Sequence, residues 1–229
     1  MTTDNFIAPL CNEKVEILYE DDHLLLINKP SGLLSLSGKN PLNKDSVYER
    51  ILKDYPNAKM IHRLDFGTSG IMVLALSRRV NAHLTKQFQL RSIVKTYTAT
   101  LYGHLVNDEG LIEAPIARDQ FPYQKICQQT GKQAQSKYQV IARNQNSTTG
   151  HKTTDVVFTP KTGRTHQLRI HSQFIGHPII GCDLYNAVID RVDTQALAPR
   201  LCLHASRLSF EHPISMEKIE MECPTSYYS

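Results

Sequence analysis

The sequence predicts an α+β fold built around a mixed sheet. Short apolar runs bounded by turn formers recur along the chain and outnumber the segments with helical periodicity. These runs do not alternate with helices in the βαβα rhythm that a parallel sheet demands. With 229 residues, 41% hydrophobic and 21% charged, the chain has average globular usage and enough apolar material for a sizeable core.

Taken in order, residues 1–14 read as a loosely ordered lead-in and 15–229 as the folded body. Leu24-Leu25-Leu26-Ile27 is a strand, stopped by the turn Asn28-Lys29-Pro30-Ser31-Gly32. Residues 35–45, rich in Ser, Gly, Asn, Pro and Lys, form a surface loop. Ser46 and Glu49 make a capping box, so a helix should run from about 47 to 55 and end before Pro56. The uninterrupted apolar run Ile71-Met72-Val73-Leu74-Ala75-Leu76 is a buried strand. Ser77 caps a second helix with Val80, Leu84 and Phe88 on one face and Arg78, Arg79, Lys86 and Arg91 on the other.

Val94 to Leu101 is a strand, residues 107–110 a turn, and residues 117–135 a long hairpin or loop carrying Arg118, Lys125 and Lys132. Strands over 136–142 and 154–159 flank a polar turn at 144–150. Thr165 should cap a third helix whose Leu168, His171 and Ile175 fall near one face, with Gly176 and Pro178 ending it. Residues 201–210 form a last long strand.

Composition excludes several classes. The net charge of +4 leans toward a polyanionic partner without the strongly basic footprint of many nucleic-acid binders. The cysteines, Cys11, Cys127, Cys182, Cys202 and Cys223, are odd in number and lack a CxxC spacing, which fits free thiols in a reducing cytoplasm. Met1 to Asn5 has no basic region or long apolar run, so no secretory leader is expected, and no apolar stretch reaches a membrane span. Among the 10 histidines, His166 and His171 miss the i,i+4 spacing of a helical zinc pair and no HExxH occurs. His62, His177, His204 and His212 read as structural hydrogen-bonding residues, and no metal site is expected.

The chemistry concentrates in His62-Arg63-Leu64-Asp65-Phe66-Gly67-Thr68-Ser69-Gly70, a loop entering the buried strand. Read bare, its acid caps its own turn. Tyr97, sharing a strand face with Lys95, Ala99 and Leu101, reads bare as a core tyrosine. The nine-residue segment resembles the signature of the RluA family of pseudouridine synthases. Lys95-Thr96-Tyr97-Thr98-Ala99-Thr100-Leu101-Tyr102-Gly103 resembles the family's tyrosine strand, and Gly163-Arg164-Thr165-His166-Gln167-Leu168-Arg169-Ile170-His171 its arginine motif. Asn28-Lys29-Pro30-Ser31-Gly32 resembles the opening motif and Leu203-His204-Ala205 the closing one. The matches fall in family order over nearly the whole chain.

The resemblance implies a single α+β catalytic domain with a mixed, largely antiparallel sheet, flanking helices and loops, and a central cleft. No S4 RNA-binding domain precedes an opening motif this early. It implies an isomerase that breaks the N1–C1′ bond of uridine, turns the base and rejoins it through C5, with no cofactor. Asp65 is then the nucleophile, as carboxylates are in retaining glycosidases. Arg164 is its ion-pair partner and keeps it ionised, and Tyr97 stacks on the base. Arg63 fills the space left by a flipped base. Lys95 and Arg169 are phosphate contacts or, each taken alone, solvated surface charges, and Leu168 lines the pocket or simply packs in the core. Arg78, Arg79 and Lys125 are further cations of the same kind.

Lys44-Asp45-Ser46-Val47, Gln124-Lys125-Ile126-Cys127, Thr130-Gly131-Lys132 and Ala198-Pro199-Arg200-Leu201 resemble the branch of the family that modifies two RNAs. That implies a tRNA anticodon stem-loop and a 23S rRNA hairpin as partners of a cytoplasmic monomer. One departure stands out: after Gly176-His177-Pro178-Ile179-Ile180-Gly181 many relatives place Asp at once, whereas here Cys182 precedes Asp183. Two rival functions stay open on sequence, a non-catalytic RNA-binding or ribosome-assembly protein of this fold and a carboxylate-based nucleoside or glycoside hydrolase.

Overall fold

The computed structural model describes residues 6–189 and 192–225. In chain order the elements are β1 (Glu16–Glu20), β2 (Leu24–Lys29), α1 (Val47–Leu52), β3 (Lys59–Met60), β4 (Ser69–Ala75), α2 (Arg78–Leu90), β5 (Val94–Tyr102), β6 (Glu109–Glu113) and β7 (Ile116–Arg118). They continue with β8 (Gln124–Ile126), β9 (Gln135–Gln145), β10 (Lys152–Pro160), α3 (Gln167–Phe174), β11 (Val188–Ile189), β12 (Val192–Asp193), β13 (Leu203–Glu211) and β14 (Lys218–Glu222). The fold class is the α+β class that the sequence predicts. The chain divides into two compact units, the first running to Val94 and resuming over Ala205–Thr225, the second comprising Lys95–His204.

In the first unit the strand order is β1-β2-β4-β13, with β3 also on β4 and β14 on β13. The pairs β1–β2, β2–β4, β3–β4 and β13–β14 are antiparallel. β4 is buried at every position, which is why its sequence is an unbroken apolar run rather than an alternation. Gly70 opens it at φ +111°, and a Cβ there would come within 2.4 Å of the Ala205 carbonyl oxygen, so only glycine lets the two backbones approach. Helix α2 starts at Ser77, whose hydroxyl accepts from the Val80 N–H, and packs Val80 and Leu84 onto Leu24, Leu26, Ile71, Val73 and Phe210.

Helix α1 has the expected Ser46 cap, its hydroxyl accepting from the Glu49 N–H at 3.2 Å, but ends at Leu52 rather than near 55. The turn expected at 28–32 begins later, because Asn28 and Lys29 are the last rungs of β2, opposite Ile71 and Gly70 of β4. Residues 6–14 of the lead-in have no regular secondary structure yet are tied down. Arg50 donates to the carbonyls of Cys11 and Glu13, while Asn43 donates to Phe6 O and accepts from Ala8 N.

In the second unit the order is β5-β10-β9-β6, antiparallel throughout. Its core joins Ala99, Leu101, Val156, Phe158, Leu168, Ile170 and Ile179. Residues 117–135 hold the expected hairpin, β7 paired with β8. The turn expected over 107–110 is shorter, since Glu109 and Gly110 already pair with β9. Gly176 stops α3 as predicted, at φ +82°, with its N–H on Gln173 O and that of His177 on Ser172 O.

Thr165 is not the cap of α3. His166 holds that position in the left-handed region, φ 54°, with no side-chain cap bond. Gln167 replaces the missing cap by reaching back, its Oε1 accepting from the Arg164 N–H at 3.0 Å and from the Thr162 hydroxyl at 2.7 Å.

Candidate active site

Asp65 lies in the first unit, partly buried, on the loop that leads into β4. A loop can hold a reactive group only if its own backbone is satisfied, and here every consecutive carbonyl has a partner. Leu64 O accepts from the Ser35 hydroxyl at 2.7 Å, and Asp65 O from the Thr68 N–H at 3.1 Å. Phe66 O accepts from the Lys29 ammonium at 3.1 Å and the Gly32 N–H at 3.0 Å, and Gly67 O from the Ser31 hydroxyl at 2.7 Å. The opening motif therefore clamps the acidic loop from the far side of β2.

Lys29 is the least expected part of this clamp. It is fully buried, with its ammonium donating also to Pro30 O at 2.8 Å. The Phe6 ring closes on Phe66 edge to face, with centroids 5.3 Å apart. Thr68 is buried, and its hydroxyl has no hydrogen-bond partner among the described residues. Arg63 is exposed. His62 is structural, Nε2 accepting from the Val73 N–H at 3.1 Å and its ring stacking on Phe88.

The second unit carries the other expected residues. Lys95 and Tyr97 are partly buried near the start of β5, on the face that continues into the buried Ala99 and Leu101. Tyr97 packs against the core of this unit and pairs in register with Phe158. Burial pushes the Lys95 ammonium below the ordinary lysine range. Its Nζ stands 3.4 Å from where a Cβ on Gly163 would be, an ordinary contact distance that brings the start of β5 beside the head of the arginine motif.

Arg164 is partly buried, its Nε donating to Gln133 O at 3.1 Å. The loop that carries it is held by Gln167, whose Nε2 donates to Gln135 O and to the Ser136 hydroxyl, both at 2.9 Å. With the two bonds to its Oε1, the Gln167 amide spends its whole hydrogen-bonding capacity on this loop.

Leu168 packs in the core of the unit, the core reading that the sequence left open. Arg169 is a correction. Expected as a phosphate contact, its side chain is 3% exposed. It forms an ion pair with Asp183, donates Nε and Nη2 to Cys182 Sγ at 3.3 Å, and lies over the Tyr185 ring at 5.4 Å. A guanidinium so enclosed holds the 182–185 turn rather than meeting solvent, and this gives the unusual Cys182-Asp183 order its structural part.

Sequence reasoning missed Lys29, Ser35, Gln167 and Tyr185. The first and third stand inside motifs it quoted; nothing in the sequence marks Ser35 or Tyr185. Among the described residues no group of three or more His, Cys, Asp or Glu could hold a metal ion. None of their helices is long and apolar enough to cross a membrane.

The acid thus lies on a braced loop of the first unit, and the tyrosine and the arginine lie in the second; these are the three residues that the resemblance to pseudouridine synthases marks. Comparison with known proteins agrees. Residues 23–174 match the family of RNA pseudouridylate synthases, and the chain belongs to that family. It is 44% identical over 213 residues to the dual-specificity RNA pseudouridine synthase RluA of Yersinia pestis, covering 92% of this chain and 99% of that protein. It is 42% identical to the protein of that name from Escherichia coli strain K12, over 92% of this chain and 93% of the other. Among solved structures, human RNA pseudouridylate synthase domain containing 1 superposes with a TM-score of 0.77 at 26% identity, covering 96% of this chain and 86% of that one. Human RNA pseudouridylate synthase domain containing 4 shares the fold at a TM-score of 0.71. The chain is an isomerase acting on RNA.

Proposed function

We propose that this chain converts uridine to pseudouridine in two looped RNAs, a tRNA anticodon stem-loop and a 23S rRNA hairpin, as a cytoplasmic monomer. The dual specificity in the names of its relatives supports two substrates. The observation that carries the reading is the acidic loop, in which every carbonyl from Leu64 to Gly67 is bonded. That bracing fixes the backbone on which Asp65 is carried, the preorganisation that covalent or electrostatic catalysis by a carboxylate requires.

Asp65 acts at the glycosidic linkage, attacking sugar or base, or stabilising positive charge at C1′, while N1–C1′ breaks. The base turns, C5 bonds to C1′, the C5 proton leaves to solvent and N1 gains one. The reaction is redox-neutral and needs no donor. Arg164 supplies the positive charge that the resemblance pairs with this carboxylate. Tyr97 stacks on the base and holds its plane while it turns. Arg63, exposed on the acidic loop, fills the gap in the RNA stack at a flipping cost of a few kcal/mol. Lys95 meets phosphate or the base edge.

The test is tritium release from RNA labelled at uridine C5, using an anticodon stem-loop, a 23S hairpin and each with its target uridine replaced. Release from both native loops, lost in Asp65→Asn while RNA binding persists, is the expected result. Binding without release from the native chain would favour the non-catalytic reading. Free uracil in place of isomerised uridine would favour the hydrolase.

A further inference from the structure

The hairpin β7–β8 ends in a tip that the reaction leaves unexplained. Phe121 is 71% exposed there, the most exposed aromatic among the described residues, and Tyr123 beside it is 42% exposed. Single exposed apolar residues need no explanation. Two aromatics at one tip, among exposed cations, do. Arg118 ends β7, Lys125 stands on β8, and Lys132 runs alongside through its backbone bonds to Ile116. Among the described residues of the hairpin, Asp119 alone offsets them at the tip, 3.4 Å from the Lys125 ammonium.

The tip is also braced. The Gln124 N–H donates to the Tyr185 hydroxyl at 2.8 Å, and the Tyr123 ring meets the Tyr185 ring edge-on at 6.3 Å. Tyr185 is buried, and its hydroxyl is 2.9 Å from His166 Nδ1 at the start of α3. The hairpin is thus moored to the loop that carries Arg164 rather than hanging free.

We propose that Phe121 and Tyr123 form a stacking platform for unpaired bases of the RNA substrate, with Arg118 and Lys125 engaging the flanking phosphates. The proposal rests on the chain being an RNA enzyme. Flat apolar rings beside cations match a splayed loop nucleotide, which offers a π-face and a phosphate together. A protein partner would meet the same rings but would gain nothing from the surplus positive charge. A phenylalanine has no hydrogen-bonding group, so the platform accepts any base; it supplies affinity and orientation, and leaves sequence choice to other contacts.

The chain contains no tryptophan, so the F121W variant carries a single fluorescent reporter at the tip. Its emission should be quenched saturably by an anticodon stem-loop RNA and not by the same stem closed as a blunt duplex. Phe121→Ala should weaken loop binding about tenfold and raise KM with kcat little changed, as loss of one stacked base does. Val106→Ala, at an apolar site still more exposed than Phe121, should change neither (Val106 is 91% exposed). Arg118→Ala should lower the slope of log affinity against log salt by about one.

Equal quenching by duplex would reduce the tip to an electrostatic contact and overturn the platform. So would Phe121→Ala binding the loop as tightly as the native chain. In both cases tritium release by the native chain would leave the catalytic reading standing. A native chain that neither binds nor turns over the stem-loops would bring down both.

Discussion

Lysine is rarely fully buried, yet Lys29 is, because two backbone carbonyls receive its ammonium. The same logic applies to Arg169, enclosed by Asp183, Cys182 and Tyr185. Residue type alone would place both outside, since partners elsewhere in the chain decide whether a charge can be buried. Asp65, Tyr97 and Arg164 stood out in the sequence because each sits in a motif; Ser35 and Gln167, which brace the loops of Asp65 and Arg164, carry ordinary side chains whose role depends on the contact made. Environment also separates the thiols. At Cys127 the Thr130 hydroxyl, then the backbone N–H groups of Thr130 and Gln129, hold the thiol below its ordinary range. Burial pushes the Cys202 thiol up to about 11. Since the thiolate is the nucleophile, iodoacetamide near neutral pH should alkylate Cys127 well before Cys202, with Cys202 reacting only on unfolding. Peptide mass spectrometry reads the order, and comparable rates in the native protein would contradict it.

Elements were most legible where periodicity and caps agreed. Helix α2 has its Ser77 cap, and its Val80 and Leu84 are buried as the four-residue spacing predicts. Helix α3 shows the limit: a threonine in the right place was not the cap, because His166 turns left-handed and Gln167 takes over. Strands β1, β6 and β14 went unread since they are half-exposed or mostly exposed, and a short strand with mixed residues has no distinctive pattern. Helix α2 ends on a similar oddity. Arg91 takes φ 58°, and the N–H groups of Arg91 and Ser92 close on Phe88 O and Gln87 O. This stop favours glycine, and a non-glycine residue there costs roughly 1–2 kcal/mol, part of which glycine returns through greater freedom in the unfolded chain. Arg91→Gly should therefore stabilise the protein by about 0.5–1 kcal/mol, seen as a higher urea midpoint with an unchanged slope. An unchanged or lower midpoint would show that the arginine side chain holds the helix end in some other way.

At the scale of the whole molecule, each unit holds buried or hydrogen-bonded groups whose protonation costs stability, and His171 and Asp21 lose theirs in different pH windows. In the second, His171 is fully buried, with Nε2 at 3.0 Å from Ala114 O and Nδ1 at 3.0 Å from the Ser136 hydroxyl. A carbonyl only accepts, so Nε2 donates and Nδ1 accepts, which is the neutral imidazole. Burial lowers its pKa from the ordinary 6.5, and the bond to Ala114 opposes this less strongly. In the first unit, burial alone would raise Asp21, but the N–H groups of His23 and Leu24 and the Tyr19 hydroxyl together hold it below 3.8. Both groups titrate lower in the folded state than in the unfolded one. The stability each contributes is therefore whole above its unfolded pKa and lost as pH falls toward the folded value. For His171 that loss begins near 6.5, and for Asp21 only below 3.8. Between about pH 6 and pH 4 the loss from these two groups should fall on the second unit. Hydrogen exchange corrected for intrinsic rates, compared at about pH 7.5 and pH 5, should show β9 and α3 losing protection. His171→Gln, which cannot take up the proton, should flatten that dependence. An undiminished slope in the variant would assign the acid sensitivity of these elements to other groups.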